Sequence, residues 1–448
     1  MSNKARRLLV LLLIILKEAG PTAACSSFSC PSYCSCSNEG LTSVPKNLPT
    51  RITTLTLEDN AIRTLSQSDF LRYKSLTSLV LTSNQISMMQ NNTFHNLTSL
   101  THLYLNDNQL TSLTPDTFVG LGALEYLDLG QNQLTTSSLS AGIFVGLSNL
   151  QYLSFSQNQL TSMSADPDVF MGLGNLQELS FHINQLTTLP AGIFSGLGNL
   201  QTLYLHSNQL TNLTADIFAG LSNLRTLSLQ YNQLTALPAD IFAGLGNLQT
   251  LWLYQNKLSS LPAGIFAGLG YLGDLRLYNN QLQTLPPMMY GILGSIDVRS
   301  DYSSATVSIY NNPWQCDCRM APFRQRMTGG YPFESQIICA GPGNLKGQLL
   351  RGLFPEDLMC EETTPVIQST KTEINAGPTG SGILLPAPLL ATLCVFLGLF
   401  IISTIVFGVM CCMYKKREGN PTPVQNLSST NATGTSSGQE HISLVKME

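Results

Sequence analysis

The sequence predicts an α/β solenoid with a curved parallel β-sheet on its concave face and irregular or 3-10 segments on its convex side. Disulfide caps are expected at both ends, and one transmembrane helix after the second cap. Three observations predict this: a leucine pattern recurs around asparagines, eight cysteines lie at the two ends of the repeated region, and an uncharged apolar stretch follows. Charged residues are only 11% of the 448, with a net charge of −4, which argues against a nucleic-acid partner.

Residues 1–24 have the pattern of a secretory signal peptide. Three basic residues precede the apolar run 8–16, and small residues at 22–24 offer a cleavage site before Cys25. A short buried helix and a bacterial lipoprotein signal are weaker interpretations. A bacterial lipoprotein signal usually has a larger aliphatic residue at the position of Thr22.

The cysteines divide by position into two even sets, which in a secreted chain indicate disulfide frameworks. Residues 25–50 are predicted to form an N-terminal cap and residues 312–360 a C-terminal cap. The two sets are Cys25, Cys30, Cys34 and Cys36, then Cys316, Cys318, Cys339 and Cys360.

Residues 51–311 carry eleven copies of the pattern LxxLxLxxNxL, most of them 24 residues apart, two at 26 and the last at 32. A period in the twenties with this pattern is typical of stacked coils. The asparagines are Asn60, Asn84, Asn108, Asn132, Asn158, Asn184, Asn208, Asn232, Asn256, Asn280 and Asn312.

One copy, QTLWLYQNKL at residues 249–258, shows how a coil is built. Leu251 and Leu253 alternate with Trp252 and Tyr254, as in a short strand with one buried face. We expect Asn256 to point inward and bond backbone groups of adjacent turns that would otherwise be unpaired. Trp252 then points outward.

The convex side should contain a continuous spine of phenylalanines, and the irregular intervals should fall on loops. Two extra residues precede Phe144 and two precede Phe170, outside the predicted strands. The frame breaks at residues 299–302 and resumes eight residues late, which predicts a bulged loop before the last strand. The spine is Phe70, Phe94, Phe118, Phe144, Phe170, Phe194, Phe218, Phe242 and Phe266, then Tyr290.

Beyond the second cap we expect a flexible stalk at 361–382, a membrane helix within 383–413 and a disordered cytoplasmic tail at 414–448. Basic residues 415–417 follow the apolar run at once, which predicts a single-pass plasma-membrane protein with its N-terminus outside. The short tail has no signalling domain, so the protein either captures or adheres, or signals through a co-receptor. Cys411 and Cys412 fit palmitoylation or simple apolar packing equally well.

Both cysteine motifs resemble the caps of extracellular leucine-rich-repeat proteins: NPWQCDC at 312–318 with Cys339 and Cys360, and CPSYCSC at 30–36. The resemblance implies pairing of Cys316 with Cys339 and of Cys318 with Cys360, and packing of Trp314 against the last coil. The N-terminal motif departs from the family, because no fourth cysteine follows Cys36. Cys25 could substitute, so that pairing stays open.

Copies that read NQLTxLPAGIFxGLxNL look closest to the variable lymphocyte receptors of lampreys. Toll-like receptor ectodomains, Slit proteins and the platelet glycoprotein Ib family resemble the chain less closely. The resemblance implies a scaffold that binds protein or glycan through its concave face. It implies no catalysis.

The outward positions of the strands hold the candidate ligand-binding residues, since Trp, Tyr and Arg are enriched at binding hot spots. Aromatic residues also suit strands by propensity, so a purely structural role competes for each one. A second, weaker group is His102, Tyr104, Tyr126 and Tyr152. The favoured set lies toward the C-terminal half: Tyr204, His206, Tyr231, Trp252, Tyr254, Arg276, Tyr278 and Tyr310.

His182 and His206 occupy the same position on successive strands and form either a solvated polar pair or a site for protons or a metal. The solvated pair is favoured, and no metal or cofactor is expected. Asn91, Asn96 and Asn212 head glycosylation triplets.

Motif matches to enzymes are accidental. The GxGxxG at 268–273 contains repeat core leucines, and the GxSxG at 434–438 lies in the tail. The sequence therefore predicts a non-enzymatic cell-surface receptor for an extracellular protein or glycan, in immune recognition more than adhesion. The alternative is a structural protein that organises matrix or synaptic contacts by lateral or homotypic association.

Overall fold

The computed structural model describes Cys25 and residues 30–140, 142–163, 167–298 and 307–360. The predicted signal peptide, the bulged loop at 299–302, the stalk, the membrane segment and the tail with Cys411 and Cys412 lie outside these residues. Within the described part, no helix is both long enough and apolar enough to cross a membrane.

The described residues contain sixteen short strands. In chain order these are β1 (Tyr33–Ser35), β2 (Thr54–Thr56), β3 (Thr64–Leu65), β4 (Ser78–Val80), β5 (Met88–Met89), β6 (His102–Tyr104), β7 (Tyr126–Asp128), β8 (Tyr152–Ser154), β9 (Glu178–Ser180), β10 (Thr202–Tyr204), β11 (Thr226–Ser228), β12 (Thr250–Trp252), β13 (Asp274–Arg276), β14 (Val307–Ser308), β15 (Trp314–Gln315) and β16 (Cys339–Gly341). Twelve of them form one sheet, in the order β1-β2-β4 and then β6 to β14.

All pairings in this sheet are parallel and in register from coil to coil. Leu227 faces Leu251, and Leu251 faces Leu275. In this sheet, the central residue of each three-residue strand is buried against the interior. The leucine positions therefore fix the register, because a slip of one residue would turn the whole buried set to solvent. The predicted parallel sheet is confirmed.

The asparagine of each coil joins at least three backbone groups of two coils. Asn256 Nδ2 donates to the carbonyls of Leu229 at 3.0 Å and Leu253 at 3.1 Å, and its Oδ1 accepts the N–H of Leu234 at 3.0 Å. The other ten asparagines repeat this pattern. The predicted role of the asparagines is confirmed, since these buried groups would otherwise lack partners.

The phenylalanine column is buried along the convex side. Neighbouring rings approach in several pairs, such as Phe218 and Phe242 at 6.4 Å. The two 26-residue intervals carry Phe155 and Phe181 where other coils have leucine, and these rings stack at 5.5 Å. Strands β8 and β9 stay in register, so both insertions fall outside the strands as predicted.

The convex side is not irregular throughout. Three α-helices are described: α1 (Gln67–Phe70), α2 (Met289–Val298) and α3 (Ala321–Arg324). Helix α2 was not predicted; it lies in the 32-residue interval, which gives it room. Met289, Leu293 and Ile296 are buried at helical spacing, so the periodicity that marks α2 was present in the sequence. Short 3-10 segments are Thr136–Ser138, Pro167–Phe170, Pro332–Gln336, Leu350–Gly352 and Pro355–Asp357.

Four disulfides hold the caps. Cys316 pairs with Cys339 and Cys318 with Cys360, as the resemblance implies. In the N-terminal cap, Cys25 pairs with Cys36 and Cys30 with Cys34, so Cys25 does substitute for the missing cysteine.

The C-terminal cap closes the open edge of the sheet. The Gln336 side chain accepts the Ile309 N–H at 2.7 Å and donates to the Val307 carbonyl at 2.9 Å, in place of a further strand. Trp314 is buried in β15, and the N–H of its neighbour Gln315 donates to the Gln283 carbonyl at 2.8 Å. The cap thus satisfies an edge that would otherwise invite pairing with another chain.

Candidate binding surface on the concave face

Outward positions of the strands form the concave face. Leu251 and Leu253 are fully buried, whereas Trp252 and Tyr254 are partly exposed. The predicted direction of Trp252 is therefore confirmed. The same alternation on adjacent strands brings residues 24 apart in sequence into contact.

Four tyrosines form a continuous row, which we call the tyrosine ladder: Tyr231, Tyr254, Tyr278 and Tyr310. Tyr254 stacks on Tyr278 at 4.4 Å and Tyr278 on Tyr310 at 4.7 Å, while Tyr231 meets Tyr254 edge-on at 5.4 Å. The end residues Tyr231 and Tyr310 are 51% and 41% exposed. Burial and the neighbouring phenols raise the pKa of Tyr278 to about 12, so this central phenol is neutral at physiological pH.

Tyr231 reaches the ladder because of its backbone. Its φ is 55°, in the left-handed region that costs a non-glycine residue on the order of 1 kcal/mol or more. The position is held by the Tyr231 N–H, which donates to the Tyr254 carbonyl at 3.2 Å, and by its carbonyl, which accepts the Asn208 N–H at 3.2 Å. The residue before each repeat asparagine shares this conformation, so it belongs to the coil and is available to any side chain placed there.

Beside the ladder lies a second arrangement, the Trp252–Asp274–Arg276 cluster. The Arg276 guanidinium lies 4.9 Å from the Trp252 ring centre and forms two hydrogen bonds to Asp274, at 3.0 and 2.9 Å. The Trp252 Nε1–H also donates to Asp274, at 2.9 Å. This carboxylate therefore fixes both the indole and the guanidinium, and its hydrogen bonds raise the pKa of Arg276 further.

Asp274 was missed by sequence reasoning. It stands two residues before Arg276 on β13, and residues at that spacing share a sheet face, so the pattern was available. Without Asp274 the cluster would present a free cation. With it, the cluster is a rigid, nearly neutral platform with a polar edge.

Tyr204 and His206 do not join this platform, contrary to the predicted grouping. Their rings contact each other and His182; the two imidazoles stack at 4.6 Å. Buried Ser228 and Gln230 of the next coil intervene: the Ser228 hydroxyl contacts His206 Nδ1 at 3.0 Å and donates to Gln230 Oε1 at 2.7 Å. These side chains are too short to continue the aromatic row, which divides the face.

The histidine pair titrates below the usual range. Burial lowers the pKa of His182, and burial together with His182 lowers the pKa of His206 to about 4. His182 Nδ1 lies 2.6 Å from the Ser180 hydroxyl. The pair is therefore neutral at physiological pH, in keeping with a polar pair more than with a sensor of mild acid.

The N-terminal stack, His102, Tyr104, Tyr126 and Tyr152, is as well ordered as the ladder. Tyr126 and Tyr152 stack at 4.1 Å with an interplanar angle of 3°, and Tyr104 lies 4.8 Å from Tyr126. Burial and a hydrogen bond to Tyr152 raise the pKa of Tyr126.

Asp128 projects beside this stack. Burial raises its pKa, although the Gly130 N–H donates to it at 2.9 Å. A Cβ at Gly130 would meet Asp128 Oδ1 at 3.0 Å and the Ser156 hydroxyl at 2.8 Å, so glycine leaves room for the carboxylate. Burial also raises the pKa of Glu178. The surroundings of the stack are therefore acidic.

The predicted glycosylation positions differ in accessibility. Asn91 and Asn212 are exposed and Asn96 is half-buried. The Asn91 amide is occupied: it donates to Asp116 at 3.3 Å and accepts from Thr114 at 2.9 Å. None lies in a strand of the large sheet.

The GxGxxG match belongs to a coil. Leu269 and Leu272 are buried core residues within it, as expected.

Sequence comparison finds partial relatives. A 63-residue segment is 35% identical to carboxypeptidase N subunit 2 of Mus musculus, covering 14% of this chain and 12% of that protein. A 52-residue segment is 42% identical to leucine-rich repeat, immunoglobulin-like domain and transmembrane domain-containing protein 2 of Mus musculus, covering 11% of this chain and 10% of that protein. The chain thus matches only about an eighth or less of the length of these relatives.

Structural similarity extends further. One solved chain, from an octameric complex of Latrophilin 3, Unc5D and FLRT2 (LRR), superposes with a TM-score of 0.57 at 26% identity, covering 70% of this chain and 93% of that one.

The family model for leucine rich repeats matches seven overlapping segments: 50–110, 74–134, 135–180, 163–210, 175–234, 198–258 and 222–282. Together they span residues 50–282, more than half of the 448. Proteins built this way are typically non-enzymatic binding scaffolds, and the match indicates no catalytic family. The chain, with its disulfide-bonded caps at both ends of the repeats, belongs to the leucine-rich-repeat family.

Proposed function

We propose that this protein is a cell-surface recognition receptor that binds an extracellular protein through the C-terminal half of its concave face. The observation that carries the proposal is the tyrosine ladder beside the Trp252–Asp274–Arg276 cluster. Together they offer large, rigid, amphipathic area with few free rotors, which is the composition of interface hot spots.

The preorganisation of this surface supports binding over a purely structural role. Asp274 holds the tryptophan and the arginine, and stacking holds the tyrosines, so little side-chain entropy remains to be lost on association. The solved complex that contains a similar leucine-rich-repeat chain also contains extracellular partner proteins. We infer the same kind of partner here.

A plasma-membrane location with the N-terminus outside, glycans at Asn91, Asn96 and Asn212, and a signalling co-receptor are parts of the same proposal. An immune role rests on the likeness of the repeats to the variable lymphocyte receptors. Adhesion or matrix organisation by self-association is the alternative. Analytical ultracentrifugation separates the two, because a tight dimer that buries the ladder would favour self-association.

The test is a screen of the full chain against extracellular proteins and microbial surfaces, with Trp252→Ala and Tyr254→Ala as variants. We expect each to weaken binding by at least about 30-fold, the effect of losing a hot-spot residue worth roughly 2 kcal/mol. Phe354→Ala is the matched control, since Phe354 is an exposed aromatic residue of the C-terminal cap, outside the concave face. Undiminished binding by both concave variants would refute the proposal.

A further inference from the structure

Along one lateral edge of the solenoid runs a second concavity, the lateral groove, of 530 Å³. It follows the residues just before the strands, from Glu125 at β7 to Tyr271 near β13. Its lining is polar throughout, mostly the carboxamides of asparagine and glutamine. It is therefore separate from the aromatic concave face.

One column of the groove consists of asparagines whose orientation is fixed. The Nδ2 of Asn175 donates to the Ser148 carbonyl of the preceding coil at 2.9 Å, and that of Asn199 to the Gly174 carbonyl at 2.8 Å. Asn149, Asn223 and Asn247 repeat the contact. Within the described residues, the Oδ1 atoms of this column receive no hydrogen bond, which leaves a row of fixed acceptors.

The second column consists of glutamines whose side chains stabilise little. Gln177 donates to Gln151 at 3.3 Å and Gln201 to Gln177 at 3.5 Å, both long contacts between largely exposed groups. Their backbone groups carry the bonds between coils, as in the Gln201 N–H to the Gln177 carbonyl at 2.8 Å. The amides are thus free to face a ligand.

The N-terminal coils show that the fold does not require these amides. The same column there holds threonines, and the Thr77 and Thr101 hydroxyls donate to backbone carbonyls of the preceding coil at 3.1 and 2.9 Å. The side chains of this edge are therefore already hydrogen-bonded within the protein. Carboxamides take the place of the threonines only between Glu125 and Tyr271, where the groove lies.

We propose that the lateral groove binds an extended, uncharged, β-linked oligosaccharide. Sugar hydroxyls both donate and accept hydrogen bonds, as carboxamides do. The amides recur about every 4.8 Å, the strand spacing, which suits the repeat of an extended sugar chain. Tyr271, 67% exposed, offers a ring face at one end, and only Glu125 and Arg225 bring charge. A peptide would require apolar pockets that the lining lacks.

The experiment titrates the purified full chain with a pentamer of β-1,4-linked glucose, and separately with the α-1,4-linked pentamer. We expect a Kd on the order of 0.1 to 1 mM for the β-linked pentamer, about −5.5 to −4 kcal/mol. Binding of the α-linked pentamer should be at least about tenfold weaker, because a coiled chain does not follow the groove. Equal affinity for the two, or no binding of either, would overturn the proposal.

Variants locate the site. Gln177→Ala combined with Gln201→Ala, and Tyr271→Ala alone, should each weaken binding about tenfold, with unchanged thermal melting because all three side chains lie at the surface. Trp252→Ala with Tyr254→Ala should leave it unchanged. If the concave variant lost sugar binding while the groove variants retained it, the sugar would bind on the concave face and this site would be refuted. Because the concave-face variants are the control in this experiment, failure of the lateral groove to bind sugar is distinguishable from failure of the proposed receptor surface.

Discussion

The two aromatic regions of the concave face have the same construction and opposite surroundings. In the N-terminal stack, the rings are all half-buried, and Asp128 and Glu178 lie close by; among the described residues, no Lys or Arg forms an ion pair with either of them. In the tyrosine ladder, the end rings are exposed and the neighbouring carboxylate, Asp274, is neutralised by Arg276. The first region is closed and acidic, whereas the second is open and nearly neutral.

This difference teaches that ring stacking by itself does not identify a binding surface. Any repeat that places aromatics at the same strand position stacks them, because parallel strands stand about 4.8 Å apart. Exposure and a fixed polar edge decide which stack a partner can use. On that criterion the C-terminal region is the better candidate.

The coils beneath the two regions should contribute equally to stability. Asn132→Ala and Asn256→Ala each remove four hydrogen bonds and leave buried backbone groups unpaired, so both should lower the free energy of unfolding by about 3 kcal/mol. Urea denaturation measures this. Asn247→Ala, which removes one exposed bond, is the control and should cost less than about 1 kcal/mol. Clearly unequal costs at 132 and 256 would show that the regions differ in their framework and not only at their surface.

Asp274→Ala should convert the open region into a disordered one. The Trp252 indole loses its acceptor and Arg276 its two bonds, so we expect partner binding to weaken about tenfold, or roughly 1.4 kcal/mol. Surface plasmon resonance with the identified partner measures it. Asp274→Asn keeps an acceptor for the indole and should lose less. Full affinity in the alanine variant would mean that preorganisation does not matter here.

Between the regions, the histidine pair should weaken the fold in acid. His206 has a native pKa of about 4 against an ordinary 6.5, so the unfolded state binds the proton more tightly. The contribution of neutral His206 to the free energy of unfolding is fully present above pH 6.5, and it is lost as the pH falls from 6.5 to about 4. Because the ring is partly exposed, screening reduces the effect to about 1 kcal/mol. His206→Gln should flatten thermal melting across this interval, and an unchanged slope would contradict the assignment.

The closed region should show the opposite pH dependence, and a smaller one. The native pKa of Asp128 is raised above 3.8, so the native state holds the proton more tightly and stability falls as the pH rises from 3.8 through the native value. Asp128→Asn should stabilise the protein at pH 7 by roughly 0.5 kcal/mol. Differential scanning calorimetry at several pH values checks this. Destabilisation at pH 7 would mean that the charge has a cation partner in solution.

Much of the fold was predictable, since each coil repeats the same local rule. The positions of Leu251, Asn256 and Phe266 define a coil without knowledge of its neighbours. Helix α2 escaped prediction, although Met289, Leu293 and Ile296 have helical spacing. The 24-residue coil frame also accounts for Leu293 and Ile296 as core positions, so two interpretations fitted the same residues.

The sequence predicted on which face the candidate binding residues lie, but not which of them contact one another. Alternation placed Trp252, Tyr254 and Tyr278 on the outer face. It also placed Ser228 and Gln230 on the coil between Tyr204 and these residues, but not their contacts with His206 and with each other, which depend on how neighbouring coils pack. The lateral groove was missed for a related reason. Its asparagines and glutamines belong to the repeated pattern, and only the structure shows which of their atoms lack hydrogen-bond partners among the described residues.

By itself, the sequence determined the strand register, the inward asparagines, the number of coils and the outward direction of the aromatic residues. These follow from the repeat periodicity, which assigns each position either to the buried side or to the exposed side. The tertiary structure alone decided which outward residues touch, which carboxylate is neutralised and where the edge opens into a groove. Such outcomes depend on distances between coils 24 or more residues apart, and no local pattern encodes them.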